Sequence, residues 1–406
     1  MHTENKITKT KNILLALTDV EKQTDELNYL IRNFCGAVAE SVSEIMEHHE
    51  YIYAFGNISK IEHIDRPVFV IRELSRNYEQ LSNENLQVIR LGEVPIIVHN
   101  VGVYFRQLFQ EYDTYFQQIK SEHEFQQLTE SNKQSNALRT GIYLSDVSKE
   151  TTNENNEQLH FHLLRCSSNL SGPTDNFRKT DRTIISTLNT ATKAVFAQET
   201  SLNHVLAQIY ENRKDTDERA KERKAKIKAH SDKTKDMDKN GLIAFCTFYD
   251  DAQFEHLKPS KTDRYDWCYG KSSGLTKLHF KLKKSVTDDS LEKEFSVTLY
   301  PNSAFIIPLS TNRLYTHEIR PSVLSIDRIP TRLGYVVRCS NLEAVFMNDQ
   351  TYIMENGELI KLEEMTREKM SELRDTYYEE NVSERKVAYG KVHFSMNLGD
   401  YQKPIY

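Results

Sequence analysis

The chain has 406 residues, of which 38% are hydrophobic and 28% are charged, and its formal net charge is −6 at pH 7. This composition predicts a soluble globular protein with one large domain or two smaller ones. The net charge argues against bulk coating of nucleic acid but leaves room for a local basic patch. The five cysteines include no Cys-x-x-Cys pair, which favours a reducing, intracellular compartment, cytoplasmic or nuclear. Because no signal peptide is evident and no apolar run approaches the roughly 18 residues of a membrane span, we expect no membrane partner.

The first part of the chain predicts helices. Apolar residues recur at helical spacing over residues 13–53, which predicts one long helix or two, and an aromatic face over residues 103–128 predicts another. Two apolar runs bounded by proline, at residues 67–71 and 95–98, predict short strands between them. We therefore expect a mainly helical N-terminal region over residues 1–145.

The rest of the chain predicts an α+β fold. A helix is predicted over residues 179–196, with weaker helical character through residues 202–212. Strand candidates then follow at residues 242–249, 276–283, 294–299, 304–309, 314–319, 333–339 and 342–347. With an extended run at His230 they suffice for an eight-stranded jelly roll. We expect this core with its flanking helices over residues 146–348, and a C-terminal helix with an extended tail over residues 349–406.

Three residues form a candidate metal site. His230 and Asp232 are two residues apart, so on an extended chain their side chains point to the same face and can reach one ion. His317 lies in a short run typical of a strand and supplies a third ligand. Two histidines and one carboxylate describe the facial triad of non-haem Fe(II) oxygenases. We therefore assign His230, Asp232 and His317 as metal ligands and catalytic residues.

Two arginines complete the candidate site. Arg332, Gly334 and Arg338 lie on one face of a predicted strand, and the glycine leaves room between the long side chains. A buried guanidinium requires an anionic partner, and its planar fork matches a carboxylate. The two arginines lie roughly 20 Å apart along an extended chain, too far to bind one carboxylate together. We assign Arg332 to the distal carboxylate of a dicarboxylate cosubstrate, and Arg338 to the metal end, where it braces Asp232 or the near carboxylate.

The order of these motifs resembles a known family. A His-x-Asp pair, then Asn-Arg-Leu-Tyr-Thr-His at residues 312–317, then two arginines six apart, is similar to the AlkB-like branch of the Fe(II)- and 2-oxoglutarate-dependent dioxygenases. The resemblance covers residues 225–340. It implies a double-stranded β-helix, a squashed jelly roll, with iron bound by His230, Asp232 and His317 and with 2-oxoglutarate held by Arg332 and Arg338.

The chain departs from the family pattern at two places. The Asn-x-Tyr pair that precedes the family's His-x-Asp is missing from residues 219–223, which read Arg-Ala-Lys-Glu-Arg. The interval from Asp232 to His317 is longer than usual. His256 lies at a more usual distance, although Lys258 follows it where a carboxylate is needed. His256 therefore remains an alternative for the first histidine of the metal site.

The resemblance also implies a function. It predicts an enzyme that consumes 2-oxoglutarate and O₂ and hydroxylates a C–H bond, with a methyl or alkyl group on a nucleobase as the favoured target, by AlkB-like oxidative demethylation or TET/JBP-like methylpyrimidine oxidation. Basic and aromatic residues mix in an insert from Lys258 to Lys284, which suits either nucleic-acid contact or a solvated loop. A protein or small-molecule hydroxylase and a non-catalytic jelly-roll binding module are the alternatives.

Overall fold

The computed structural model describes residues 4–17, 24–61, 64–76, 78–80, 84–110, 114–130, 133–134, 137–151, 157–165, 170–214 and 221–406. Within these ranges the fold is a mixed α+β fold in which sheet predominates over helix. The α-helices are α1 (Asp25–Asn33), α2 (Tyr115–Glu122), α3 (Lys179–Val195), α4 (Leu309–Leu314) and α5 (Arg367–Val382). Short 3₁₀ turns lie at Val42–Glu44, Ile58–Ile61, Tyr78–Gln80, Leu91–Glu93, Asp251–Gln253, Ile326–Arg328 and Leu398–Tyr401. None of the helices so described has the length and apolarity that crossing a membrane requires.

The N-terminal region is built on a parallel sheet, here called the N-terminal sheet. Its strands, in spatial order, are Ala37–Ala39, Asn12–Leu17, Tyr51–Asn57, Val68–Arg76 and Leu86–Ile89. The prediction of a mainly helical region is therefore wrong. Leu14 packs into one core cluster and Leu15 into another, so the Asn12–Leu17 strand is buried on both faces. Such strands are continuous apolar runs, and these match helical spacing as readily as strand spacing.

Two further segments that were expected to be helical contain strands. In the aromatic stretch at residues 103–128, a strand occupies Gly102–Phe105 and the α-helix is confined to α2. The prediction of weak helical character at residues 202–212 is also wrong, because His204–Tyr210 is a fully buried strand. The predicted short strands are present at Val68–Arg76 and Ile96–Val98. Burial on both faces again removes the polar alternation that distinguishes a strand from a helix.

A large sheet, here called the major sheet, forms the centre of the molecule. Its strands, in spatial order, are Asp175–Asn176, Arg139–Ser145, His204–Tyr210, Arg332–Arg338, Leu242–Tyr249, Ser303–Pro308, Gly102–Phe105 and Ile96–Val98, with Gln126–Gln127 beside Arg139–Ser145. The Arg332–Arg338 strand, here called the arginine strand, is antiparallel to both of its neighbours. Leu333, Tyr335 and Val337 face a core cluster that includes residues of α2 and α3. Its even-numbered residues therefore point to the opposite face.

A second sheet, here called the minor sheet, covers that opposite face. Its strands, in spatial order, are Ile227–His230, Tyr315–Arg320, Lys277–Leu282 and Glu294–Thr298. Phe280 of the minor sheet packs edge-on against Phe305 of the major sheet with ring centroids 5.7 Å apart, and both belong to one buried cluster between the sheets. All the strand candidates predicted between residues 242 and 347 are strands in the structure.

The remaining strands lie outside these sheets. A C-terminal sheet contains Ser148–Thr151, Glu157–Leu163, Leu342–Met347, Gln350–Glu355 and Glu358–Lys361. Small hairpins pair Thr129–Glu130 with Lys133–Gln134, Arg213–Lys214 with Glu222–Arg223, and Lys258–Pro259 with Trp267–Tyr269, which also pairs with Ser272–Ser273.

The domain boundaries at residues 145 and 348 stay predictions. Strands from before residue 145 join the major sheet, and the C-terminal sheet continues past residue 348.

A cluster of buried charged side chains contacts the arginine strand on the face that points away from the minor sheet. His123 Nδ1 lies 2.7 Å from Asp175 Oδ2 and His123 Nε2 lies 2.8 Å from Asp181 Oδ2. Burial alone would lower the pKa of His123, but the hydrogen bonds to the two carboxylates raise it to about 9. The hydroxyl of Tyr335 donates to Asp181 Oδ1 at 2.7 Å. The cluster thus links the start of α3 to the central strand of the major sheet.

Candidate metal centre

The two histidines are neighbours across the minor sheet. His230 ends the Ile227–His230 strand and is paired in the ladder with His317 of Tyr315–Arg320. His230 Nε2 lies 3.6 Å and His317 Nε2 lies 3.8 Å from the same atom, Asp232 Oδ1. Ligand atoms each about 2.1 Å from one ion are separated by no more than about 4.2 Å, so both distances permit a shared ion. One ligand atom from each of the three residues lies within 4.8 Å of the others.

Backbone contacts orient the His-x-Asp segment. His230 Nδ1 lies 2.9 Å from the carbonyl oxygen of Lys228, which assigns the proton to Nδ1 and leaves the Nε2 lone pair towards Asp232. The backbone N–H of Asp232 donates to Asn312 Oδ1 at 2.8 Å, and Asn312 Nδ2 donates to the carbonyl of Asp232 at 2.9 Å. Asn312 lies in α4, the short helix directly before the strand that contains His317. This helix therefore fixes the backbone of Asp232.

Arg338 sets the charge of the centre. Its Nε and Nη2 atoms both lie 2.8 Å from Asp232 Oδ2, which leaves Oδ1 facing the histidines. Burial raises the pKa of Asp232, but the charge of Arg338 and its hydrogen bond to the carboxylate hold it well below its usual range. Burial lowers the pKa of His317 to about 3 and also lowers that of His230. The site therefore holds two neutral imidazoles and one carboxylate, the protonation states that metal binding requires.

A cavity of about 110 Å³ lies between the two sheets, lined by the histidines and Asp232 as well as by Arg332. The Arg332 guanidinium carbon lies 3.9 Å from the centroid of the Tyr210 ring, and the residue is 4% exposed. Its Nε and Nη2 atoms are buried without a hydrogen-bond partner among the described residues. A Cβ at Gly334 would lie 2.8 Å from Arg332 Nη1, so any larger residue here would displace the guanidinium from its present position.

Gln208 and Tyr210 also line the cavity, and the sequence analysis missed them. The Tyr210 hydroxyl donates to Gln208 Oε1 at 3.1 Å. Gln208-Ile209-Tyr210 has the amide-x-tyrosine order of the family's Asn-x-Tyr pair, but it lies farther from His230 than residues 219–223 do. Of that segment, residues 219 and 220 lie outside the described part of the chain. The apolar spacing of residues 202–212 matches a helix as well as a buried strand, so it does not predict that Gln208 and Tyr210 share one face.

Two other predicted residues lie elsewhere. His256 is exposed and pairs with Glu255 at 2.9 Å, and it does not line the cavity. The structure therefore brings His230 rather than His256 beside His317. Lys283, counted among the basic residues of the insert, is buried and donates to the carbonyl of Glu380 at 2.7 Å. It is not part of an exposed basic surface.

Helix α5 braces the segment that follows His230. The backbone N–H of Ser231 donates to Asn381 Oδ1 at 2.9 Å, and that of Thr234 donates to Glu380 Oε1 at 3.1 Å. Lys233 Nζ, which lines the cavity, donates to the carbonyl oxygen of Tyr377 at 3.0 Å. The last turns of α5 therefore hold the backbone on both sides of Asp232.

The chain was compared with known proteins. No protein-family model matches it, and no curated protein matches it significantly. A solved structure titled "The structure of OsALKBH1" aligns with 60% of this chain and 99% of its own length, at 11% sequence identity and a TM-score of 0.35. A similarity this weak decides neither the fold family nor the activity of the present chain.

Proposed function

We propose that this protein is an Fe(II)- and 2-oxoglutarate-dependent dioxygenase that hydroxylates a C–H bond of its substrate. The observation that carries the proposal is one cavity with a His-Asp-His set on its wall and a buried arginine whose Nε and Nη2 atoms contact no hydrogen-bond partner among the described residues. Two imidazoles and a carboxylate suit Fe(II), and an arginine suits a carboxylate. The two facing sheets support the proposal that the core is a double-stranded β-helix.

Each side chain has a role in this proposal. His230, Asp232 and His317 would hold Fe(II), which supplies oxygen activation coupled to decarboxylation of 2-oxoglutarate to succinate. Arg338 keeps Asp232 ionised and fixes which of its oxygens faces the histidines. Arg332 would hold the distal carboxylate of 2-oxoglutarate, oriented by stacking on the ring of Tyr210. Apolar neighbours of the cavity, which include Leu278 and Val336, limit access of water to the reacting atoms.

Anaerobic absorption spectroscopy tests the metal and cosubstrate together. Addition of Fe(II) and 2-oxoglutarate to the protein is expected to produce a visible charge-transfer band, because the cosubstrate chelates the metal. His230→Ala and His317→Ala are expected to abolish the band, since each removes one ligand. His256→Ala, which alters an exposed histidine, is the matched control and should keep it. Retention of the wild-type band in both ligand variants would reject the proposal.

We also propose that the substrate is an alkylated nucleobase within a nucleic acid. Exposed lysines of the insert support this: Lys258, Lys261, Lys271 and Lys277. Tyr269 is 42% exposed, and the guanidinium carbon of Arg328 lies 3.7 Å from the centroid of its ring. Lysines neutralise phosphates and an aromatic side chain offers a surface for base stacking.

Charge reversal tests the nucleic-acid proposal. The triple change Lys258→Glu, Lys261→Glu and Lys271→Glu is expected to weaken oligonucleotide binding at least about 10-fold and to reduce its dependence on salt, because three phosphate contacts are lost. Fluorescence anisotropy at several salt concentrations measures both effects. The same reversal at Lys149, Lys193 and Lys403, which are exposed outside the insert, is the control. Equal affinity of the insert variant and the wild type would favour a protein or small-molecule substrate.

A further inference from the structure

A second arginine faces the cavity beside Arg332. Arg139 begins the Arg139–Ser145 strand of the major sheet and lies opposite Tyr210 in the ladder, and Tyr210 lies opposite Arg332. The three side chains therefore form a row across adjacent strands, on one face of the sheet. Arg139 lines the same cavity, and its Nε atom is buried with no hydrogen-bond partner among the described residues.

Among the described residues, this arrangement has no counter-ion. Adjacent strands lie about 4.8 Å apart, so two strand intervals place the backbones of Arg139 and Arg332 about 10 Å apart, within reach of two long side chains. Neither arginine forms an ion pair with a described residue, whereas Arg338 in the same cavity is neutralised by Asp232. The guanidinium of Arg332 is buried, and so is the Nε atom of the half-buried Arg139; such groups are normally paired, because the cost of desolvation is otherwise uncompensated. An anion supplied by a ligand would satisfy both guanidinium groups.

The row lies at the far end of the arginine strand from the candidate metal site. Arg338, which contacts Asp232, is opposite His204, the first residue of the His204–Tyr210 strand, whereas Arg332 and Arg139 align with Tyr210, its last. A ligand anchored at the metal would therefore present its remote end to Arg139 and Arg332. That remote end must carry negative charge to satisfy them.

We propose that Arg139 is a second binding residue for the distal carboxylate of the cosubstrate and that it selects dicarboxylates over monocarboxylates. The inference rests on the proposed function, because it takes the cosubstrate to be a 2-oxo acid bound at the metal. Arg332 and Arg139 approach the carboxylate from neighbouring positions around Tyr210, and together they offer donors to both of its oxygens. A 2-oxo monocarboxylate of the same chain length leaves these donors without a partner and binds more weakly.

Titration of 2-oxoglutarate into the anaerobic Fe(II)-loaded protein tests the role of Arg139. Arg139→Met is expected to weaken 2-oxoglutarate binding about 10-fold to 100-fold, the value of a charged hydrogen bond, and Arg332→Met at least as much. The preference for 2-oxoglutarate over 2-oxopentanoate should fall in both variants, and Arg139→Lys should restore part of it. Arg182→Met, an exposed arginine of α3 that pairs with Asp146, is the control and should behave as wild type.

Thermal unfolding of the protein without metal or cosubstrate separates binding from a structural role. Arg139→Met should unfold at or above the wild-type temperature, because it removes a buried Nε donor that has no hydrogen-bond partner among the described residues. A lowered unfolding temperature with wild-type affinity for 2-oxoglutarate would overturn the inference. If Arg332→Met loses affinity and Arg139→Met does not, the inference fails and the proposed function stands. If the wild-type protein binds no Fe(II), the proposed function fails as well.

Discussion

Asp232→Ala is expected to abolish metal binding and to lower the free energy of unfolding by about 3–5 kcal/mol. The change removes the carboxylate on which both histidines converge. It also leaves the positive charge of Arg338 buried without the anion that neutralises it, and Arg338 is only 7% exposed. Loss of a metal ligand cannot by itself explain lower stability of the metal-free protein, so the two effects together indicate that Asp232 has both roles.

A double-mutant cycle separates these two effects. Asp232→Ala combined with Arg338→Met removes both charges, so we expect most of the lost stability to return while metal binding stays absent. Urea denaturation of the metal-free proteins gives the stability, and Co(II) titration followed by absorption gives the affinity. Asp232→Asn, which keeps the side-chain volume, is the control for shape. If Asp232→Ala bound Co(II) as tightly as wild type, Asp232 would not be a ligand.

His123→Gln is expected to lower the free energy of unfolding by up to about 3 kcal/mol at pH 6 and by much less at pH 9.5. The pKa of His123 is raised in the folded protein from 6.5 to about 9. A group whose pKa rises on folding stabilises the protein while it is protonated, so its contribution is complete below about pH 6.5 and is lost as the pH rises through about 9. Glutamine keeps an amide N–H donor at this position, but it supplies no positive charge.

The measurement is the difference in unfolding free energy between variant and wild type at the two pH values. Other groups titrate over the same range, and the subtraction removes their contribution. His256→Gln is the control, because this histidine is exposed and pairs with Glu255 instead of with Asp175 and Asp181. A difference of equal size at pH 6 and pH 9.5 would mean that the charge of His123 does not stabilise the fold.

The sequence was most informative where strands have two different faces. In the arginine strand, alternation alone places Arg332, Gly334 and Arg338 on one side, and the structure has these residues on the cavity wall. The same rule aligned His230 with Asp232. These predictions needed no knowledge of which strands pair, because the period of a strand is a local property.

The sequence was least informative where burial is complete or contacts are distant. Leu14 and Leu15 are both fully buried, and an apolar run of this kind does not distinguish strand from helix. Because of the same ambiguity, the sequence did not predict that Gln208 and Tyr210 line the cavity. Arg139 joins the cavity only through the pairing of its strand with His204–Tyr210, and such pairing is not encoded in local spacing.

If the protein binds a metal as proposed, the contacts of α5 determine when in synthesis the metal can be bound. Ser231 is held by Asn381, 150 positions farther along the chain. During synthesis from the N-terminus, the wall beside the first histidine therefore cannot reach its final geometry until the ribosome has released that distant helix. We expect the proposed iron to bind only after this release. A nascent chain stalled before α5 should therefore bind no iron.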